Sequence, residues 1–124
     1  NFANVTISEN GGAFWAGNEA MNIRVPGPIA ARMGAQKGKA AALGIRPEDL
    51  RMASLADSAD TTLEAIVEVS EQLGSEVILD VRVAGDGMVA SVEPTVRVKP
   101  QEKIKLALDP RRLHFFDAQS EASI

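Results

Sequence analysis

The groups in this chain that could do chemistry are few, and their spacing excludes most of it. There is one histidine, His114, and no cysteine, so a nucleophile, imidazole and carboxylate relay would have to be assembled around that single ring. Its neighbours Leu113, Phe115 and Phe116 place it on an apolar strand. There a histidine is expected as a half-buried structural residue and not as a proton carrier. The run Gly34-Ala35-Gln36-Lys37-Gly38-Lys39 resembles a phosphate cradle until it is counted. Such a loop needs four residues between its glycines, so that the backbone wraps the phosphate, and Ser or Thr after the lysine to hold magnesium. Here three residues intervene and Ala40 follows, so we read a solvated turn. Glu64, Glu68 and Glu71 do not fall within one glycine-turned segment, as a calcium loop requires. On a strand Glu64 and Glu68 share the face opposite the apolar residues, which is expected to be solvated. No catalytic group, metal site or cofactor is expected in these residues.

Composition narrows the partners. A net charge of -4 and a pI near 5.0 oppose binding to a phosphate backbone, which relies on clustered Lys and Arg, so nucleic acid is not an expected partner. Zero cysteines exclude a disulfide framework and thiolate zinc sites, and agree with a reducing cytoplasm. No apolar run approaches the roughly 20 residues of a membrane-spanning helix. The sequence opens at Asn1 without methionine or a basic, apolar-cored leader, so we expect a piece of a longer protein. Its 124 residues suit one domain, or two small intertwined halves sharing a core.

The elements that must position these groups read as strands. Val5 and Ile7 alternate with polar residues, Glu9-Asn10-Gly11-Gly12 turns the chain, and Ala13 to Ala16 returns, which predicts a β-hairpin. Met21 to Val25 predicts a third strand closed by Pro26-Gly27-Pro28, and Ile29 to Gln36 a short helix. Ala40 to Ile45 is a short apolar strand that Pro47 ends, since proline cannot donate to a ladder and biases Arg46 toward extended geometry. The small, polar stretch around residues 54–62 is the expected surface boundary between halves. Beyond it Leu63, Ala65, Val67, Val69 and Leu73 occupy one face of a long strand. Val77 to Val83, Met88 to Val92, Lys103 to Leu108 and Leu113 to Phe116 continue the pattern, with a reversal at Gly85-Asp86-Gly87. Residues 118–124 have little to bury and are expected to fray. The fold class is all-β: short antiparallel strands with at most one or two short helices.

Four runs in order carry a resemblance: Gly44-Ile45-Arg46-Pro47-Glu48-Asp49-Leu50, then Val69 to Glu76 with Gly74 and Glu76, then Leu106-Ala107-Leu108-Asp109-Pro110, then Leu113-His114-Phe115-Phe116-Asp117, with Asn1-Phe2 at the start. Together they resemble the carboxy-terminal regulatory domain, of TOBE and OB type, of the ATP-binding subunits of ABC importers for maltose, other sugars and glycerol phosphate. The resemblance implies OB-like barrel pieces and a domain over 1–124 whose ATPase domain lies outside this chain. It implies a regulatory and dimerisation role in import of a sugar or related small polar solute, with no enzyme activity here and with ATP and magnesium bound by the missing domain. The implied partners are that ATPase domain, a second copy of the subunit and, indirectly, the permease; the implied location is cytoplasmic, at the inner face of the cell membrane. Gly44, Ile45, Arg46, Pro47, Glu48, Gly74, Glu76, Phe116 and Asp117 are then structural or interface candidates. An alternative is a sensor of a small oxyanion or sugar, for which Arg46, Arg82 and Lys39 are the loosely placed cations; a nucleic-acid-binding OB domain ranks lower on charge. In each of the pairs Phe14-Trp15 and Phe115-Phe116 one ring is expected in the core and the other at an interface.

The wrong glycine spacing around Gly34 and Gly38 gives the first testable expectation. Calorimetry of the chain with magnesium and ATP should show no micromolar binding, and such binding would contradict the reading of a plain turn.

Overall fold

The computed structural model describes residues 1–124. It holds ten strands: β1 (Phe2–Asn10), β2 (Ala13–Asn18), β3 (Met21–Arg24), β4 (Ala40–Gly44), β5 (Leu50–Met52), β6 (Thr62–Gln72), β7 (Val77–Val83), β8 (Asp86–Val92), β9 (Lys103–Leu108) and β10 (His114–Asp117). All pairings are antiparallel. The sheet runs β10-β4-β1-β2-β3-β6-β7-β8, with β9 bridging β5 and β6, and curls into an OB-like all-β half-barrel. No helix is long and apolar enough to cross a membrane.

Local chemistry sets the turns. Gly11 and Gly12 hold φ of +62° and +80°, the left-handed pair that a two-residue hairpin needs. The β7–β8 reversal sits at Ala84-Gly85, because Val83 already pairs with Asp86; Asp86 and Gly87 belong to the strand and not to the turn expected there. The single helix expected over 29–36 is broken. One α-turn, α1 (Gly27–Ala30), follows Pro26, and a separate 3-10 turn covers Gly34–Gln36. Buried Met33 lies between them, and pinning it to the core takes the chain off a continuous helical path.

The interior is one cluster of 27 buried residues, to which strands of both ends contribute: Ile7 and Leu43 from the first half, Leu79, Leu106 and Phe115 from the second. Each such aliphatic side chain contributes roughly 1.5–3 kcal/mol on burial. In β6 the alternation holds for Leu63, Ala65 and Val67 and then fails. A bulge shifts the register between Val67 and Val69, so that Val69 faces Asp80 and Ser70 faces Leu79. One extra residue moves every later side chain to the opposite face. Val69 and Leu73, expected inside, are therefore about half exposed, at 52% and 49%.

The curl brings β8 to the beginning of β1, where a side chain closes the gap. The Asn1 amide nitrogen donates to the Val89 carbonyl at 2.6 Å, and the Val89 N–H donates back to Asn1 Oδ1 at 2.8 Å. The amide thus stands in for one rung of a missing strand and shields an otherwise open edge. Asn1→Ala leaves both groups of Val89 without that partner, so it should lower unfolding stability by about 1–2 kcal/mol and speed exchange of the Val89 amide hydrogen. An unchanged exchange rate would contradict this closure.

Candidate docking surface

Antiparallel pairing lines up side chains on the outer face of β1, β4 and β10. Phe2, Gly44 and His114 form one row, and Asn4, Ala42 and Phe116 the next. The β4 column is small, so the rings of its neighbours close over it. Phe2 and Phe116 meet edge to face with centroids 5.9 Å apart and planes at 65°, a geometry the ring quadrupoles favour. A Cβ on Gly44 would lie 3.3 Å from Phe116 and 3.5 Å from Phe2. A side chain at Gly44 would thus push the Phe116 ring by a few tenths of an ångström. Phe115 is buried and Phe116 only partly so, while Phe2 stays 64% exposed. Phe14 and Trp15, by contrast, are both half-buried. His114 is exposed, not half-buried, because it shares the outer face with Phe116.

The chain leaves β4 through the turn expected from Pro47. Arg46 is extended, at φ -76° and ψ 147°, and Pro47–Asp49 form a 3-10 turn that ends as the Leu50 N–H donates to the Pro47 carbonyl. Ile45 and Leu50 are buried on either side and anchor the turn. Arg46 and Glu48 are exposed and form no ion pair. Asp49 reaches Arg112 at 3.6 Å, tying this turn to the one before β10.

Gly44 and Phe116 therefore share the outer face of β4 and β10, whereas Asp117 lies opposite Ala41 at the start of β4 and Arg46 and Glu48 follow its far end. Gly74 and Glu76 stand apart in the β6–β7 hairpin. Gly74 takes φ +89° there, and Glu76 accepts a hydrogen bond from the Ser91 hydroxyl; neither bonds to the Arg46–Glu48 turn. Arg46, Arg82 and Lys39 do not converge on one anion. Arg82 is bound to Glu68 at 3.1 Å and to the Gly85 carbonyl, and it lines a different hollow from Lys39.

The sequence reading missed the tail. Residues 118–124 do not fray but double back along β10. Asp117 N–H donates to the Ala122 carbonyl and Ile124 N–H to the Phe115 carbonyl, and Phe116 bridges Ser123. Asp117 Oδ1 starts the reversal by accepting from the Ser120 and Gln119 amides at 3.0 and 2.9 Å. An acid followed by small polar residues is the turn signal that pointed to it. Those amide donors, with Lys39 nearby, hold the Asp117 carboxyl below the usual carboxylate range. The folded group binds its proton less readily than the unfolded one, so its contribution is complete above the ordinary value near 3.9 and is lost as pH falls through the lowered folded value. We expect amide exchange at Gln119 and Ser120 to stay slow down to about that ordinary value and to rise only below it. Release of the tail already near neutral pH would contradict the assignment.

Comparison with known proteins places the whole chain. The family model described as the MalK OB fold domain matches residues 1–50, and that of the TOBE domain matches residues 43–116. The sulfoquinovosyl glycerol transport ATP-binding protein SmoE of Agrobacterium fabrum is 31% identical over 128 aligned residues, spanning 100% of this chain and 33% of the relative. The multiple sugar-binding transport ATP-binding protein MsmK of Streptococcus mutans is 39% identical over 71% of the chain and 24% of its own length. The trehalose/maltose import ATP-binding protein MalK of Thermococcus litoralis is 34% identical over 70% and 24%. The chain spans a third or less of each of these relatives.

Proposed function

This chain belongs to the TOBE domain family, and on that premise we propose that it is the regulatory domain of the ATP-binding subunit of an ABC importer for a sugar or a related small polar solute. The observation that carries the reading is that two overlapping family matches account for the chain from Asn1 to Phe116, while the relatives with the same segment are transport and import ATP-binding proteins. ATP and magnesium are then bound and used by another part of the subunit. The domain's partners are that ATPase domain, a second copy of the subunit and, through them, the permease, at the cytoplasmic face of the cell membrane.

The Arg46-Pro47-Glu48 turn supports a docking role in this scheme. Proline limits its conformations before any partner arrives, so little ordering entropy is lost on contact. Its two charges point to solvent without an internal partner, and opposite charges on one rim give a contact direction and specificity. Neither is needed to hold the fold. Replacing both by alanine should leave the stability of this chain within about 0.5 kcal/mol, as for ordinary surface positions. In the intact transporter the same change should uncouple ATP hydrolysis from uptake. Unfolding of the chain would make the pair structural, and unchanged coupling would remove the turn from the docking surface.

A further inference from the structure

We infer that the groove beside Phe2 and Phe116 is a seat for an arginine side chain of a protein partner. This goes beyond family membership and does not depend on which solute is imported. The groove is a hollow of about 480 Å³ on the outer face of β1, β4 and β10. Its floor is Ala42, its aromatic side is Phe2 and Phe116, and its far wall is Asp117, Ala118 and Glu121 of the folded-back tail. Both of its charged lining residues are acidic. Lys39, the nearby cation, lines a separate hollow with Ala40 and Gln119 on the other side of Asp117.

Charge and shape together select the occupant. Asp117 uses Oδ1 for the tail amides, and although the Ser120 hydroxyl also bears on the carboxylate, its two oxygens keep lone pairs for a further donor. The Glu121 carboxylate takes part in no hydrogen bond or ion pair within the chain. A purely apolar group entering here would strip water from two carboxylates without replacing it, and an anion would meet repulsion. A guanidinium does neither. Its stem can lie along the small floor, its face can stack on an exposed ring, and its forked donors suit a carboxylate better than the point charge of lysine. The wall is already in place, because the tail is bonded to β10 before any partner binds.

The test is an NMR titration of this 124-residue chain, whose single core supports folding on its own, with a blocked Gly-Arg-Ala peptide, and with the same peptide carrying neutral citrulline in place of arginine. The arginine peptide should give saturable shifts confined to Phe2, Phe116, Asp117 and Glu121, and the citrulline peptide should bind at least about tenfold more weakly, the scale of a lost charge-assisted bond. Glu121→Gln, at an exposed position with no structural bond, should weaken binding while the rest of the spectrum stays unchanged, and Asp117→Asn should weaken it with further changes confined to residues 117–124. Equal binding of citrulline, shifts scattered over the surface, lack of saturation, or unchanged binding by both variants would overturn the assignment. Because these outcomes concern the chain alone, they are separate from the coupling measured in the intact transporter.

Discussion

The pairing of the last two strands with the first half of the chain is the constraint on which the rest depends. β9 joins β5 to β6, and β10 covers the outer edge of β4. Without β10 the edge of β4 would be bare and Leu43, directly opposite Phe115, would lose the neighbour that helps bury it. These contacts link residues far apart in sequence, so the entropy of closing long loops must be offset by burial that becomes available only when both ends meet. The domain is therefore expected to fold as one unit and not as two stacked halves. The same pairing puts Phe116 beside Phe2 and Asp117 beside the groove they share.

A second consequence follows from the bulge in β6. By turning Val69 and Leu73 outward, onto the face where Ile66 is already 39% exposed, it gives the β6–β7 arm an apolar outer flank. The ion pair between Glu68 and Arg82 lies across that arm; with both partners well exposed it adds little stability. The Phe2–Phe116 face differs in kind. There the apolar groups are aromatic, and Asp117 and Glu121 border them.

Much of the fold was legible where one residue type fixes one local geometry. Gly11-Gly12 set a hairpin, Pro47 ended β4, and the alternation in Val77 to Val83 gave both a strand and its buried face. What the sequence could not show was partnership. Periodicity tells which way a side chain points on a strand but not which strand lies beside it, so the row Phe2, Gly44, His114 was invisible. β5 is only Leu50–Met52, too short for a pattern, and exists because β9 is there to pair with it. The bulge breaks the rule by which the strand was recognised. The tail was misread because it buries little; backbone hydrogen bonds and the Asp117 cap hold it instead.

The proposed docking role puts the contact surface at Phe2, the Arg46–Asp49 turn and the β10 end. Hydrogen exchange compared between this chain alone and the same residues within the full ATP-binding subunit tests it most directly. The account predicts added protection at Phe2, at residues 46–49 and at residues 112–117, with none at the Gly34–Lys39 turn. Equal exchange at all of these segments, or protection centred on the Gly34–Lys39 turn, would contradict it.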